Sequence, residues 1–224
     1  MKAIITLEEN VPAKVQIDNR GVQRTIFMNM QELASYMVSS VKDESVEVME
    51  KPKVVMASPT LPPNTAKYAK LSDGTDILFL FHPETKANVT YHKTEFKDVP
   101  FPNLVFCFGV RNEQLVTKTV FAYKDRFLRD ETQLYRFPFS NVFEGGRLCY
   151  FDNTPIKDLV QLQTFAHRWL NATFNDHLYD EQRCTLLNKP LREILEMSQG
   201  KEFDKDMLVP LNVRFQEMSQ GLVQ

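Results

Sequence analysis

The order of strand-like and helix-like segments limits what this chain can fold into. Strand patterns separated by turn residues run from residue 66 to residue 125, and helical patterns follow at 158–171 and 190–198. The stretches "SDGT" and "PETK" provide turn chemistry between the first strands. A run of strands followed by helices is typical of an antiparallel sheet with helices against it. We therefore predict an α+β fold, an antiparallel β-meander with helices packed on one face.

The helical segment at 158–171 has the clearest apolar periodicity. Apolar residues recur there at steps of three and four and so fall on one stripe of a helix. They are Leu159, Leu162, Phe165, Ala166 and Trp169. A second helix is predicted to begin at Pro190 and to end before Gly200, and "RFQEMSQ" is predicted to add one more helical turn.

The start of the chain has its own strand and helix patterns. "KAIITLEEN", "KVQIDN" and "QRTIFMN" are typical of short strands, and "NMQELASYMVSS" is typical of a helix that Asn29 caps. A proline-rich break at 59–63 follows. We predict an N-terminal β/α layer over 1–58, a core over 59–200 and a C-terminal tail over 201–224.

Charge and composition exclude several classes of function. The chain has 27 basic and 29 acidic side chains, which argues against a broad phosphate-binding surface, so nucleic acid is not an expected partner. No apolar run approaches the ~20 residues that cross a membrane, and the first residues do not resemble a secretory signal. The three cysteines are widely spaced and form no CxxC pair. A cytoplasmic location without membrane contact is expected.

The common catalytic and cofactor-binding motifs are missing from the sequence. None of His82, His92, His167 and His177 belongs to an HExxH or HxH pattern, so a metal site is not expected. The sequence also has no GxSxG elbow, P-loop or GxGxxG stretch. We therefore predict neither a metal nor an organic cofactor.

The three cysteines differ in their surroundings. Cys107 lies in the apolar run "LVFCFGV" and Cys184 begins the short apolar stretch "CTLL", so both are expected to be structural. Cys149 instead follows the pair Gly145–Gly146 and precedes the polar loop "DNTP". Paired glycines permit positive φ and predict either a tight hairpin turn or a pliable flap. On residue pattern alone, Cys149 is either a structural cysteine or an accessible nucleophile.

Four stretches resemble the prokaryotic branch of the ubiquitin-conjugating enzymes. "LPPNTAKYAKLSDGTDILFLFHPE" resembles its upstream strands, and "PFPNLVF" resembles the proline-rich lead into its last core strand. "FSNVFEGGRLC" resembles its His-Pro-Asn segment, whose asparagine precedes the catalytic cysteine by eight positions. "WLNATFNDHL" resembles a helix end and turn typical of PRTRC system protein B. Over about residues 60–200 the chain is thus similar to the PRTRC system protein B family (family D of the branch).

The chain departs from the family pattern in two respects. Phe139 and Ser140 occupy the histidine and proline positions, so only Asn141 of the His-Pro-Asn triplet is kept. Roughly thirty additional residues, including "VTKTVFAYK", separate the proline-rich piece from Asn141.

The resemblance implies a ubiquitin-conjugating-enzyme-like core with an N-terminal β/α extension, and a set of site residues. Cys149 would carry the carboxyl group of a modifier as a thioester, and the amide of Asn141 would stabilise the oxyanion or fix the loop that does so. Asp152 would orient or deprotonate an incoming lysine. Gly145 and Gly146 would form the flap beside Cys149.

The resemblance also implies partners, and it leaves alternatives open. The partners would be a ThiF-like activating enzyme, a ubiquitin-like protein and a JAB-type deconjugating peptidase from the same gene cluster. The alternative is a catalytically inactive binding or scaffold module of a PRTRC-type plasmid or mobile-element system. A cysteine protease would require a histidine base near Cys149, for which His167 and His177 are the candidates.

Overall fold

A computed structural model of the chain describes residues 2–40, 54, 56–151 and 153–221. The chain divides into two units, Met1–Met56 and Ala57–Gln224, each with its own internal contacts. Within the described residues, no helix is long and apolar enough to cross a membrane.

The first unit contains a three-stranded antiparallel sheet and one helix among residues 2–40. These elements are β1 (Lys2–Thr6), β2 (Ala13–Asn19), β3 (Val22–Met28) and α1 (Met30–Ser40). The Asn29 side chain accepts the backbone N–H of Glu32 at 2.8 Å, and the Glu32 carboxylate accepts the N–H of Asn29 at 3.1 Å. This reciprocal capping box confirms that the helix begins after Asn29. Leu33 of α1 packs on Ala13 and Val15 of β2.

The main sheet of the second unit is antiparallel throughout its described strands, which makes the fold α+β. In spatial order these strands are β11 (Pro210–Arg214), β10 (Gln133–Tyr135), β9 (Gln114–Tyr123), β8 (Asn103–Arg111), β5 (Asp76–His82) and β4 (Thr65–Lys70). β8 is buried along nearly its whole length because it lies between β5 and β9. The continuous apolar run at 104–108 is the signature of that central position.

The predicted meander is interrupted after β5. β6 (Thr85–Tyr91) and β7 (Thr94–Phe101) form a separate two-stranded sheet, and β5 pairs with β8 instead. The β5–β8 ladder ends at His82 opposite Leu104, and the next residue is Pro83. Proline has no N–H for a ladder, so the chain leaves the sheet at this point.

The main sheet packs other elements on both faces, because alternate residues of its strands point to opposite sides. On one face, the Phe106 ring contacts Trp169 and the Phe108 ring contacts Phe165, and both partners belong to α2 (Phe165–Leu170). Side chains of α3 (Leu191–Ser198) pack into the same core. On the other face, Phe79 contacts Phe215 of α4 (Phe215–Gly221), with ring centroids 5.7 Å apart. The prediction that the helices occupy only one face is therefore wrong for α4.

The apolar stripe predicted at 158–171 is buried, as the spacing indicated. The segment begins as a 3₁₀ helix, Leu159–Thr164, and continues as α2. Asp158 caps the 3₁₀ helix by accepting the N–H of Val160 at 3.0 Å. The predicted single helix is thus a 3₁₀ turn followed by an α-helix.

The stretch predicted as a tail from residue 201 contributes to the core in its described part. β11 becomes the strand beside β10, and the side chains of Phe203, Met207 and Phe215 are buried. Lys67 of β4 donates a hydrogen bond to the Ser219 hydroxyl of α4 at 3.0 Å. These contacts join positions far apart in the chain, which local sequence patterns do not reveal.

Candidate functional site

Residues 141–149 form a short hairpin whose turn contains the glycine pair. The N–H of Phe143 donates to the carbonyl of Arg147 at 2.9 Å, and the N–H of Gly146 donates to the carbonyl of Phe143 at 2.8 Å. Of the two predicted conformations, the structure has the tight turn at Gly145–Gly146 rather than an unpaired flap.

Gly146 is required at its position, whereas Gly145 is not. Gly146 has a φ of +84°, and a Cβ added there would lie 2.6 Å from the Phe121 ring and 3.1 Å from the Val120 carbonyl oxygen. A Cβ added at Gly145 would meet nothing within 4 Å. The second glycine therefore allows the hairpin to lie close against β9.

The second arm of the hairpin continues the main sheet along the edge of β9. The N–H of Val120 donates to the carbonyl of Gly146 at 2.9 Å, and the N–H of Leu148 donates to the carbonyl of Lys118 at 3.0 Å. Cys149 follows directly after this paired segment. Its backbone is thus held by a rigid sheet edge, which favours a precisely placed side chain.

Asn141 and Cys149 meet at the open end of the hairpin. The N–H of Cys149 donates to the carbonyl of Asn141 at 2.8 Å, so the eight-residue spacing closes a loop between them. Asn141 has a φ of +66°, a conformation that asparagine tolerates better than most residues. Its side-chain amide donates to the carbonyl of Thr173 at 3.0 Å. Asn141 therefore ties the cysteine segment to the turn after α2.

Of the three cysteines, only Cys149 is not buried. The Cys107 side chain is fully buried, and this burial raises its pKa to about 12. Burial also raises the pKa of Cys184, whose Sγ accepts the N–H of Asp180 at 3.4 Å. A raised pKa leaves little thiolate near neutral pH, so these two thiols are poor nucleophiles.

Two further residues lie next to Cys149 in the fold, and neither belongs to a motif. The ammonium of Lys118 donates a hydrogen bond to the carbonyl of Tyr150 and so braces the chain just after the cysteine. Phe151 is 93% exposed. Phe151 is an apolar residue before a polar loop, a signal that could have been noticed, whereas the position of Lys118 depends on strand pairing.

The histidines contact other groups. The rings of His82 and His167 lie 5.1 Å apart, and His92 Nε2 lies 3.0 Å from an Asp176 carboxylate oxygen. No hydrogen bond joins a histidine to Cys149 within the described residues, so the arrangement that a cysteine protease requires is not seen there. The same part of the chain holds no group of three or more His, Cys, Asp or Glu side chains arranged to bind a metal ion.

The loop after Cys149 returns to the sheet at the β8–β9 turn. Asp152, predicted to act on the incoming amine, lies outside the described residues. Residues 153–155 line a cavity of about 340 Å³ together with residues 112–115. The N–H of Ile156 donates to the carbonyl of Glu113 at 2.7 Å, which anchors the far end of the loop.

Comparison with known proteins identifies the family. The model of Prokaryotic E2 family D matches residues 26–211, which is most of the chain. No curated protein and no solved structure gives a match. The chain belongs to Prokaryotic E2 family D.

Proposed function

We propose that this member of Prokaryotic E2 family D is a conjugating enzyme, which carries a ubiquitin-like protein as a thioester on Cys149 and passes it to an amine. Membership makes the chain a relative of conjugating enzymes. One observation carries the proposal further. The single cysteine that is not buried lies at the end of a sheet-anchored hairpin, hydrogen-bonded to the asparagine eight residues before it.

The proposed reaction has two acyl transfers. The Cys149 thiolate attacks the carbonyl carbon of a modifier thioester on the activating enzyme, a new carbon–sulfur bond forms, and the activating enzyme leaves as a thiolate. An amine then attacks the new thioester, a carbon–nitrogen bond forms, and the Cys149 thiolate leaves while the amine loses a proton. A thiol suits both steps because thiolate is a good nucleophile and a good leaving group. The donor is already activated, so a paired histidine base is not required.

Asn141 is proposed to act by positioning the site. Its side chain donates to the Thr173 carbonyl, and its own carbonyl accepts the N–H of Cys149. These two bonds hold the cysteine segment against the turn after α2. Loss of the side chain would leave a carbonyl without its donor, which typically costs about 1–3 kcal/mol. Asp152, three positions after Cys149, is proposed to orient or deprotonate the acceptor amine.

The proposed partners follow from the family and from the chemistry. Conjugating enzymes act in general with a ubiquitin-like protein and its activating enzyme. We propose a ThiF-like activating enzyme as the donor. We also propose a JAB-type peptidase as the enzyme that would reverse the modification.

Two observations favour the alternative of an inactive binding module. Phe139 and Ser140, at the positions of the family histidine and proline, are both buried, and the Phe139 ring packs on Phe101 at 5.1 Å. The Asn141 amide also binds Thr173 rather than the thiol. The segment before Cys149 thus packs into the core, which a binding module would also require.

Thioester formation on a non-reducing gel tests the proposal. The purified chain is mixed with ATP, a ThiF-like activating enzyme and the ubiquitin-like protein that this enzyme activates. We expect a larger band that collapses with a thiol reductant. The band should be lost in Cys149→Ala and kept in Cys107→Ala and Cys184→Ala, and Cys149→Ser should trap a reductant-resistant ester. No band with an activating enzyme shown to be charged would favour the binding module.

A further inference from the structure

A cavity is lined by the first arm of the Cys149 hairpin and by the segment at 178–184. Its volume is about 400 Å³, within the range of small-molecule sites. The apolar residues of its lining are Phe137, Val142, Phe143 and Leu178. Four charged side chains also line the cavity, and they decide which ligand charge it favours: Arg136, Glu144, Asp180 and Arg183.

Both lining carboxylates are engaged by the Arg183 guanidinium. Arg183 Nε lies 2.9 Å from an Asp180 carboxylate oxygen, and Arg183 Nη1 lies 3.5 Å from a Glu144 carboxylate oxygen. The Asp180 carboxylate also accepts the backbone N–H of Gln182 at 3.0 Å and that of Arg183 at 3.1 Å. The remaining charged group of the lining is Arg136.

Arg136 has no comparable partner. Its backbone is fixed directly after β10, where its N–H donates to the Val209 carbonyl at 2.9 Å. Among the described residues, its guanidinium makes one hydrogen bond, from Nη1 to the Glu144 carbonyl at 3.3 Å, and no ion pair. Its Nε–H is buried without an acceptor. A guanidinium has five N–H donors, and buried donors are normally paired. Arg136 is thus a half-buried cation in the cavity wall without a compensating anion.

We propose that this cavity binds a small monocarboxylic acid with an apolar body, whose carboxylate accepts hydrogen bonds from the Arg136 guanidinium. Guanidinium and carboxylate groups form strong, charge-assisted hydrogen bonds. One uncompensated cation matches one negative charge, whereas a dianion would be repelled more strongly by Asp180 and Glu144. The apolar lining would remove the body of the ligand from water. This inference does not rest on the proposed function.

Titration of the full chain with phenylacetate tests the proposal, with phenylacetamide as a neutral probe of nearly the same shape. In ¹⁵N-labelled protein the side-chain Nε–H signal of Arg136 is assigned by its loss in Arg136→Lys. We expect phenylacetate to shift this signal until the site is saturated. Phenylacetate should bind at least about tenfold more tightly than phenylacetamide, because a hydrogen bond between two charged groups contributes that much.

Three variants, measured by isothermal titration calorimetry, test the role of charge. Arg136→Gln should weaken phenylacetate binding by about tenfold or more. Arg129→Gln makes the same change at an exposed arginine outside the lining, in the loop between β9 and β10, and should keep the wild-type affinity. Glu144→Gln keeps the backbone carbonyl that binds Arg136 and removes one negative charge from the lining. It should therefore bind phenylacetate about threefold more tightly, a gain that can be measured even if Arg136→Gln does not fold.

Several outcomes would overturn the inference. They are the absence of saturable phenylacetate binding, equal affinities for phenylacetate and phenylacetamide, and an unchanged affinity in a folded Arg136→Gln variant. Weaker binding in Glu144→Gln would also contradict it. Inorganic phosphate is titrated in parallel, and tighter binding of phosphate than of phenylacetate would refute the assignment of a monocarboxylate. None of these results depends on thioester formation at Cys149, so the proposed function is tested separately by the gel assay.

Discussion

Replacing Gly146 with alanine should destabilise the second unit by about 2–5 kcal/mol. A residue with a side chain at positive φ costs about 1–2 kcal/mol, and overpacking typically adds 1–3 kcal/mol. At Gly146 both apply, because φ is +84° and the new methyl group would lie 2.6 Å from the Phe121 ring. The ring can turn away, but the Val120 carbonyl oxygen at 3.1 Å belongs to the sheet backbone.

The neighbouring glycine provides a control of nearly identical chemistry. Gly145→Ala adds the same methyl group one residue earlier, where nothing lies within 4 Å. It should change the free energy of unfolding by less than about 0.5 kcal/mol, as most surface substitutions do. The two variants have the same composition, so a difference between their free energies of unfolding reports the local geometry.

A double-mutant cycle separates the two costs at Gly146. In a Phe121→Ala background the steric conflict with the ring is gone, and Gly146→Ala should keep only the roughly 1–2 kcal/mol of the positive φ and the cost of the close contact with the Val120 carbonyl oxygen. The cost of Gly146→Ala in the wild-type background minus its cost in the Phe121→Ala background gives the free energy of the contact between position 146 and the ring.

Urea unfolding followed by tryptophan fluorescence measures these changes. Trp169 is the only tryptophan in the chain and is fully buried in the core of the second unit, so its emission reports that unit. A loss of about 2–5 kcal/mol corresponds to a decrease in Tm of about 4–20 °C for a unit of this size. If Gly146→Ala unfolds like the wild-type protein, or if Gly145→Ala is equally destabilised, the close approach of the hairpin to β9 is refuted.

Three further predictions concern the residues around the site. Asn141→Ala should lower the free energy of unfolding by about 1–3 kcal/mol, measured by the same urea titration, because it leaves a carbonyl without its donor. Iodoacetamide at about pH 8 should label Cys149 in the native protein and the other two cysteines only after unfolding, as peptide mass spectrometry would show, because burial raises the pKa of both. Hydrogen bonds from Tyr91 and His92 lower the pKa of Asp176, so the stability they contribute is present above the usual carboxyl pKa and is lost as pH falls through the lowered value. Asp176→Asn should therefore lose less stability than the wild-type protein between about pH 5 and pH 2.

Local features of the fold could be predicted because nearby residues determine them. The Asn29 cap, the apolar stripe from Leu159 to Trp169 and the glycine turn before Cys149 all lie within a few residues of their partners. Helical and strand periods, caps and turns are properties of short stretches, so the order of elements and the α+β class follow from the sequence.

Tertiary structure alone decided which distant segments meet. β11 pairs with β10, and α4 packs on the far face of the main sheet, so both contacts join stretches remote in sequence. β6 and β7 instead leave the main sheet and form a sheet of their own. The same holds within the site. The partner of the Asn141 amide is Thr173, 32 positions away. Whether a cysteine is buried depends on the elements packed around it, so the sequence could place Cys149 after a turn, but only the fold left it accessible while burying Cys107 and Cys184.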